Sequence, residues 1–239
     1  MLIIDKERFH SPFLPQTRCG RLASQPEALF CEATFVREQY QETLWQQLAV
    51  PFPDSLAGAV TKRRAEYLAG RWCSQQLLDA ADIHGHVLRA ENRAPHWPSG
   101  AMGAISHSGD RALALMVADA IPWRVGVDLE RFDAEVMRNC GPEIISDAEV
   151  MRLGADGYGD EWGILLAFSA KESLYKALWP EVRRYFGFHA AALVAADEGS
   201  FVLELRESLT ADLKAGQRFY GEWRYEAPWI TTLVCQPAK

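Results

Sequence analysis

Between Pro53 and Pro95 the chain contains no proline, and inside that gap residues 59–82 are dominated by Ala, Leu, Arg, Glu and Gln. That composition predicts a helix several turns long. Ala65, Leu68, Ala69 and Trp72 recur at helical spacing, so the helix must bury one stripe against another element. Arg64 and Arg71, seven residues apart, share a different face, with Arg63 about a quarter turn from Arg64. A chain with such a helix is neither all-β nor disordered, and the question becomes what the stripe packs on.

The sequence that follows supplies strands. After a turn-rich segment running from Arg93 through Pro95, Trp97 and Pro98 to Gly100, strands are expected at residues 103–106, 112–118 and 124–130. The last alternates strictly. Val125, Val127 and Leu129 point one way, while Gly126, Asp128 and Glu130 point the other, so its polar face presents two carboxylates. A second helical region is broken by Gly154, Gly157 and Gly159 and resumes over residues 162–178. Beyond Pro180, strands are expected at 191–196, 201–206, 218–225 and 229–235. The first fifty residues, interrupted by Pro12, Pro15 and Pro26, read as loops with a short strand at 30–36 and a helix at 38–48. Helix and strand recur in both halves, which predicts an α+β chain of two lobes, residues 1–120 and 121–239.

Charge narrows the functional classes. The 239 residues carry 25 Lys+Arg against 32 Asp+Glu, a net charge of -7, so bulk charge will not bind nucleic acid and an anionic ligand needs a local basic cluster. Apolar runs such as 164–168 fall far short of a membrane span. The ten N-terminal residues include Asp5, Lys6, Glu7 and Arg8, which a secretion signal would not. The five scattered cysteines (Cys19, Cys31, Cys73, Cys140, Cys235) form no CxxC pair. A reduced, cytoplasmic setting is expected.

Four constellations carry chemistry, each with a plainer alternative. Asp128 and Glu130 on one strand face can share a hard cation, or can simply be solvated acids. Glu172 and Lys176, four apart on a helix with Lys171 beside them, can act on a ligand or form a surface ion pair worth ~0.3–0.5 kcal/mol. Ser106, His107 and Ser108 close a strand beside glycine, where a backbone can approach a phosphate and His107 can donate to it, or His107 is a satisfied structural residue. Lys62, Arg63, Arg64 and Arg71, with Arg93 in the loop, offer guanidinium forks for phosphates, or are the wet side of a helix. Asp82, His84 and His86 alternate, but Gly85 favours a loop over a metal site.

In order along the chain, Lys62-Arg63-Arg64-Ala65-Glu66-Tyr67-Leu68-Ala69-Gly70-Arg71, Pro95-His96-Trp97-Pro98, Ile105-Ser106-His107-Ser108, Gly126-Val127-Asp128-Leu129-Glu130 and Phe168-Ser169-Ala170-Lys171-Glu172-Ser173 with Lys176 resemble the Sfp/EntD-type 4′-phosphopantetheinyl transferases, in particular the EntD-like branch of siderophore and nonribosomal peptide synthesis. The likeness spans residues 59–178, and the ending Ile230-Thr231-Thr232-Leu233-Val234-Cys235 shares it. The resemblance implies two similar α/β lobes related by a pseudo-twofold axis, with coenzyme A in the cleft between them. It implies transfer of phosphopantetheine from coenzyme A to a serine of an apo acyl, aryl or peptidyl carrier protein, releasing 3′,5′-ADP. Asp128, Glu130 and Glu172 match Mg2+ ligands, with Mn2+ as an alternative ion. Arg63, Arg71, Arg93, Pro95, Ser106 and His107 match the coenzyme A-binding positions, and Lys171 and Lys176 match lysines facing the pyrophosphate. Glu172, assisted by Lys176, is the expected catalytic base.

A carrier is usually acidic, so Arg183 and Arg184 with Tyr185, Phe186 and Phe188 are a candidate docking edge, against a packed loop with two solvated arginines. A monomer is expected, with no nucleic-acid partner and no membrane span. Asp128→Ala is expected to spare the fold, an exposed strand-end carboxylate contributing little. Two other classes compete: a non-catalytic coenzyme A-binding module, which would not need three carboxylates, and a Mg2+-dependent phosphohydrolase of nucleotide pyrophosphates, which would show a denser acidic motif.

Overall fold

The structure is a computed structural model that describes residues 2–155, 157 and 160–238. Along the chain run β1 (Leu2–Arg8), β2 (Gln16–Leu22), β3 (Ala28–Thr34), α1 (Leu44–Gln47), α2 (Thr61–Ala80), β4 (Leu88–Arg89), β5 (Pro95–His96), β6 (Ala101–Ser108), β7 (Arg111–Ala118) and β8 (Trp123–Arg131). Then come α3 (Ala134–Ile144), α4 (Asp147–Ala155), α5 (Asp160–Val182), β9 (Ala191–Asp197), β10 (Ser200–Leu205), β11 (Arg218–Glu226) and β12 (Trp229–Pro237). The α+β class holds. The chain divides into two compact units, Leu2–Trp123 with the C-terminal tail from Pro237, and Arg124–Gln236.

The first unit is a sheet of order β1-β2-β3-β7-β6 with α2 against it. The expected stripe is what α2 buries: Ala65, Leu68, Ala69 and Trp72 are 2% exposed or less, and they share a core with Cys31, Ala114 and Met116 of β3 and β7. Two glycines set the close approaches. A Cβ on Gly70 would meet the Ile105 methyl of β6, and one on Gly103 would meet the Trp97 ring. The second unit is a sheet of order β8-β12-β11-β10-β9. Leu166, Leu174 and Leu178 of α5 join Phe201, Leu203, Ile230 and Val234 in its core.

Several local expectations are corrected. Residues 2–8 and 16–22 are not loop: β1 and β2 pair antiparallel. Their alternation is masked because β1 is a polar edge strand, carrying Asp5, Lys6, Glu7 and Arg8 along a side that needs no apolar cover. The helix expected at 38–48 shrinks to single turns at Arg37–Gln39 and Leu44–Gln47. The last long helix runs beyond Leu178 to Val182, with Pro180 inside its final turn. Gly157 has φ +85° just past α4, and Gly159 lies outside the described residues.

The correction that matters most concerns β8. Strict alternation predicts one wet face, yet every residue from Arg124 to Leu129 is buried. Its polar side is covered by α5. A Cβ on Gly126 would collide with the Ser173 carbonyl oxygen and the Ala177 backbone nitrogen, so only glycine lets the strand lie directly on the helix. Arg124, 3% exposed, fastens the start of that contact with two hydrogen bonds to Glu181, 2.7 and 2.9 Å.

Candidate active site

The contact made by Gly126 delivers Asp128 into α5. Asp128 is 2% exposed. Its Oδ2 accepts from Ser169 Oγ at 2.9 Å and its Oδ1 from Lys176 Nζ at 2.7 Å, while Lys176 also donates to the Val127 carbonyl at 3.0 Å. Behind Ser169 stands Thr232 of β12, whose Oγ1 lies 2.9 Å from Ser169 Oγ and 2.7 Å from Ser173 Oγ. All three hydroxyl residues are fully buried. They form a rigid ladder that fixes one carboxylate oxygen, a positioning role sequence reading missed. The available signal was two serines four apart on the same helix as Glu172.

Glu172 faces the same spot. Burial pushes its carboxyl above the usual range, the negative charge of Asp128 pushes it further, and Lys176 opposes both. Two carboxylates with one ammonium between them leave an excess of negative charge in a half-dry setting. That donor chemistry fits a hard divalent cation, which takes one or two protein carboxylates and fills its remaining positions with water and phosphate oxygens. Among the described residues no group of three or more His, Cys, Asp or Glu side chains is arranged to hold a metal by itself. Asp128 and Glu172 are the two carboxylates whose charges act on each other. Glu130 lies two residues along β8, half-buried, and alternation puts it on the Asp128 face.

Lys171 is tied to a different carboxylate from Lys176. It is 4% exposed, and its Nζ donates to the Ile144 carbonyl at 2.7 Å and pairs with Glu149 at 2.9 Å. Neighbouring helix positions diverge by about 100°, so Lys171 reaches Glu149 while Lys176, one turn on from Glu172, reaches Asp128. Glu149 is the hub. It closes the N-terminus of α4 through Ser146 N and Oγ, 3.0 and 2.9 Å, and accepts from Leu193 N of β9 at 2.8 Å. Burial would raise its carboxyl, but the Lys171 charge and these hydrogen bonds outweigh that and hold it below the usual range. Burial lowers the Lys171 ammonium in turn, against the pull of Glu149. The pair joins α3, α4, α5 and β9.

The first unit builds the opposite electrical site. Arg71 of α2 is 9% exposed, with its guanidinium 4.5 Å over the Tyr67 ring and one N–H on the Leu88 carbonyl at 3.3 Å. Its buried Nε–H has no hydrogen-bond partner, an unmet charged donor of the kind an anion satisfies. Burial lowers its pKa, and the charges of Arg63 and Arg89 lower it further. Arg63 donates to His107 Nε2 at 2.7 Å. Because a guanidinium cannot accept, that ring nitrogen is unprotonated and the proton is on Nδ1, 3.8 Å from Glu66. Glu66, 8% exposed, also lies 3.6 Å from Arg63 and 3.9 Å from Lys62. Ser106, 5% exposed, precedes His107 on β6.

Two expected members of this cluster are rearranged. Arg93 sits with φ +71° at the exposed tip between β4 and β5, while the hairpin arginine whose charge reaches Arg71 is Arg89, paired in register with Pro95. Pairing beside Pro95 brings Arg89 back toward α2, a placement no spacing rule discloses. Arg64 turns the other way, onto the Leu56 and Ala57 carbonyls and Glu42. His86 bonds Gln75 at 2.7 Å. Among the described residues it belongs to no metal cluster with Asp82 and His84.

Comparison with known proteins decides the family. Residues 52–117 match the 4′-phosphopantetheinyl transferase N-terminal domain, and residues 124–232 match the 4′-phosphopantetheinyl transferase superfamily. Enterobactin synthase component D of Salmonella typhi is 32% identical over 194 residues, covering 81% of this chain and 79% of the relative. The chain belongs to the 4′-phosphopantetheinyl transferase superfamily. Enterobactin synthase component D of Escherichia coli (strain K12) is 30% identical over 210 residues, 87% of this chain and 88% of the relative. The 4′-phosphopantetheinyl transferase PptT of Mycobacterium tuberculosis is 32% identical over 150 residues, 59% and 63% of the two chains. This phosphopantetheinyl transferase carries a basic cluster on one long helix and, on the other, a glutamate whose charge acts on Asp128. No helix among the described residues is long and apolar enough to cross a membrane.

Proposed function

We propose that the protein transfers 4′-phosphopantetheine from coenzyme A to a serine hydroxyl of an apo carrier protein, with Mg2+ bound and 3′,5′-ADP released. The observation that carries this reading is the Asp128–Glu172 pair, forced together by Gly126 and balanced by a single lysine. Asp128 and Glu172, with Glu130 on the same strand face, would hold the ion. When bound it supplies neutralisation of the negative charge of the diphosphate as the bridge to the leaving nucleotide breaks.

The chain's own residues supply the rest. Arg63, Arg71 and Arg89 offer cationic N–H donors to the 3′-phosphate and the nucleotide end, with His107 holding Arg63 in place. Lys176 offers an ammonium to the diphosphate while it steadies Asp128. Glu172 is the base that accepts the serine proton as oxygen attacks phosphorus. Next to it lies a cavity of about 120 Å3 walled by Tyr175, Tyr185, Phe186 and Phe188, and an apolar wall of that kind suits the pantetheine arm. The expected carrier edge is divided: Arg183, Arg184 and Tyr185 are exposed, but Phe186 is buried in the core and Phe188 packs on Phe168 at 5.5 Å. The two arginines and Tyr185 are what remains for an acidic partner.

The test is labelling of apo acyl, aryl and peptidyl carriers with a fluorescent coenzyme A and Mg2+. Labelled serine with one 3′,5′-ADP released per label is expected. Silence across all three carrier types would sink the reading, and nucleotide release without a carrier would favour the phosphohydrolase.

A further inference from the structure

The transfer reaction leaves unused a group of three thiols in the first unit. Cys19 of β2 and Cys31 of β3 are register partners. Residues directly opposite in an antiparallel pair have Cα atoms about 4.5–5.5 Å apart and side chains on one face, inside the roughly 4.4–6.8 Å span of disulfides. The two thiols share a hydrogen bond, and Cys31 bonds in turn to Cys73 of α2. Cys31 and Cys73 are fully buried. Cys19 is half-buried and opens on a cavity of about 180 Å3 that Lys6, Arg8 and Gln76 also line.

We propose that Cys19 and Cys31 are a reversible disulfide pair, closed by a small disulfide of the oxidised-glutathione type that enters at Cys19. The Cys19 thiolate attacks one sulfur of the small disulfide, forming a mixed disulfide and expelling one small thiolate. The Cys31 thiolate then attacks the Cys19 sulfur and expels the second. Two protein thiols are oxidised, one small disulfide is reduced to two thiols, and the two protein protons pass to the leaving thiolates. Lys6 and Arg8 favour the entering thiolate. The hydrogen bond to Cys31 and then burial nonetheless hold the Cys19 thiol well above its usual range, so closure is slow at neutral pH and speeds about tenfold per pH unit. Cys73, on a helix and out of register with Cys19, is left as a thiol.

Cleavage after Arg18, Arg21, Arg37, Arg71 and Arg89 places the three cysteines on separate peptides, 19–21, 22–37 and 72–89. The full chain is incubated with oxidised glutathione without denaturant, its remaining thiols are alkylated, and the non-reduced digest is read by mass spectrometry. Peptide 19–21 linked to 22–37 is expected, lost on dithiothreitol treatment and absent from Cys19→Ser and Cys31→Ser. Five alkylated cysteines, a glutathione adduct on Cys19 that never closes, or a link between 22–37 and 72–89 would each overturn the assignment.

Discussion

Glu66 and Glu172 are both largely buried carboxylates on the long helix of their unit, and their surroundings are opposite in sign. Glu66 has Lys62, Arg63 and His107 within 4 Å, and Arg71 is one further turn along α2. Glu172 has another carboxylate and one lysine that is already bonded to it. The first carboxylate is a minority charge that organises cations, so the cluster around it suits an anion. The second belongs to a majority, so its cluster suits a cation. The means of approach also differ. On α2 the glycine is on the helix and a strand side chain, Ile105, fills the space; on β8 the glycine is on the strand and helix backbone fills it.

The comparison can be broken most sharply at Glu172. Glu172→Gln should cut transfer roughly 10²–10⁴-fold and yet stabilise the metal-free protein above the ordinary carboxylate range. Because the folded carboxyl sits above its unfolded value, the native state holds more protons in that window, and wild-type stability falls as pH rises through it. Denaturant melts across that window, with chelator present, check the sign.

Next in size is Lys171→Met, which strands Glu149 in the interior and should cost about 3–5 kcal/mol in a urea melt. The carboxyl of Glu149 sits below its unfolded value, so wild type carries this stability above the ordinary carboxylate range and loses it as pH falls through the lower folded one. The variant should lack that step. Coenzyme A affinity should be unchanged, whereas a lysine on the pyrophosphate would weaken it.

Gly126→Ala drives a methyl into helix backbone and should cost about 3 kcal/mol or more with loss of transfer, because neither main chain can yield. Gly70→Ala meets only the Ile105 methyl at 2.9 Å, and about 1 kcal/mol of helix propensity offsets the crowding. Thermal melts should separate the two variants clearly. Smallest, Arg71→Ala and Arg89→Ala should each raise KM for coenzyme A roughly tenfold or more, the worth of about 1.5–3 kcal/mol per charged hydrogen bond, with kcat little changed. Arg93→Ala should not.

Asp128 shows why reading along the chain stopped short. Alternation correctly put Asp128 and Glu130 on one face but treated that face as wet, and the same reasoning made Asp128→Ala harmless to folding. With Ser169 and Lys176 both bonded to it, the substitution leaves partners unsatisfied, at about 1–3 kcal/mol. The polar edge strand β1 was invisible for the converse reason: nothing apolar marks a strand whose outer edge meets solvent. Arg89 was passed over in favour of Arg93 because a short hairpin can return either arginine to the helix until its register is known.

Sequence alone determined the two long helices, the buried stripe of α2, most strands of both sheets, and an ordered set of motifs sufficient to place the chain in its family. These are properties of single elements, set by side-chain period and backbone propensity within a few turns. Only the tertiary structure decided which charges meet: Lys176 at Asp128 and Lys171 at Glu149, and Arg89 rather than Arg93 near Arg71. Spacing tells where a side chain leaves its own helix or strand, but the group opposite it arrives from elsewhere in the chain, positioned by packing that no local pattern contains.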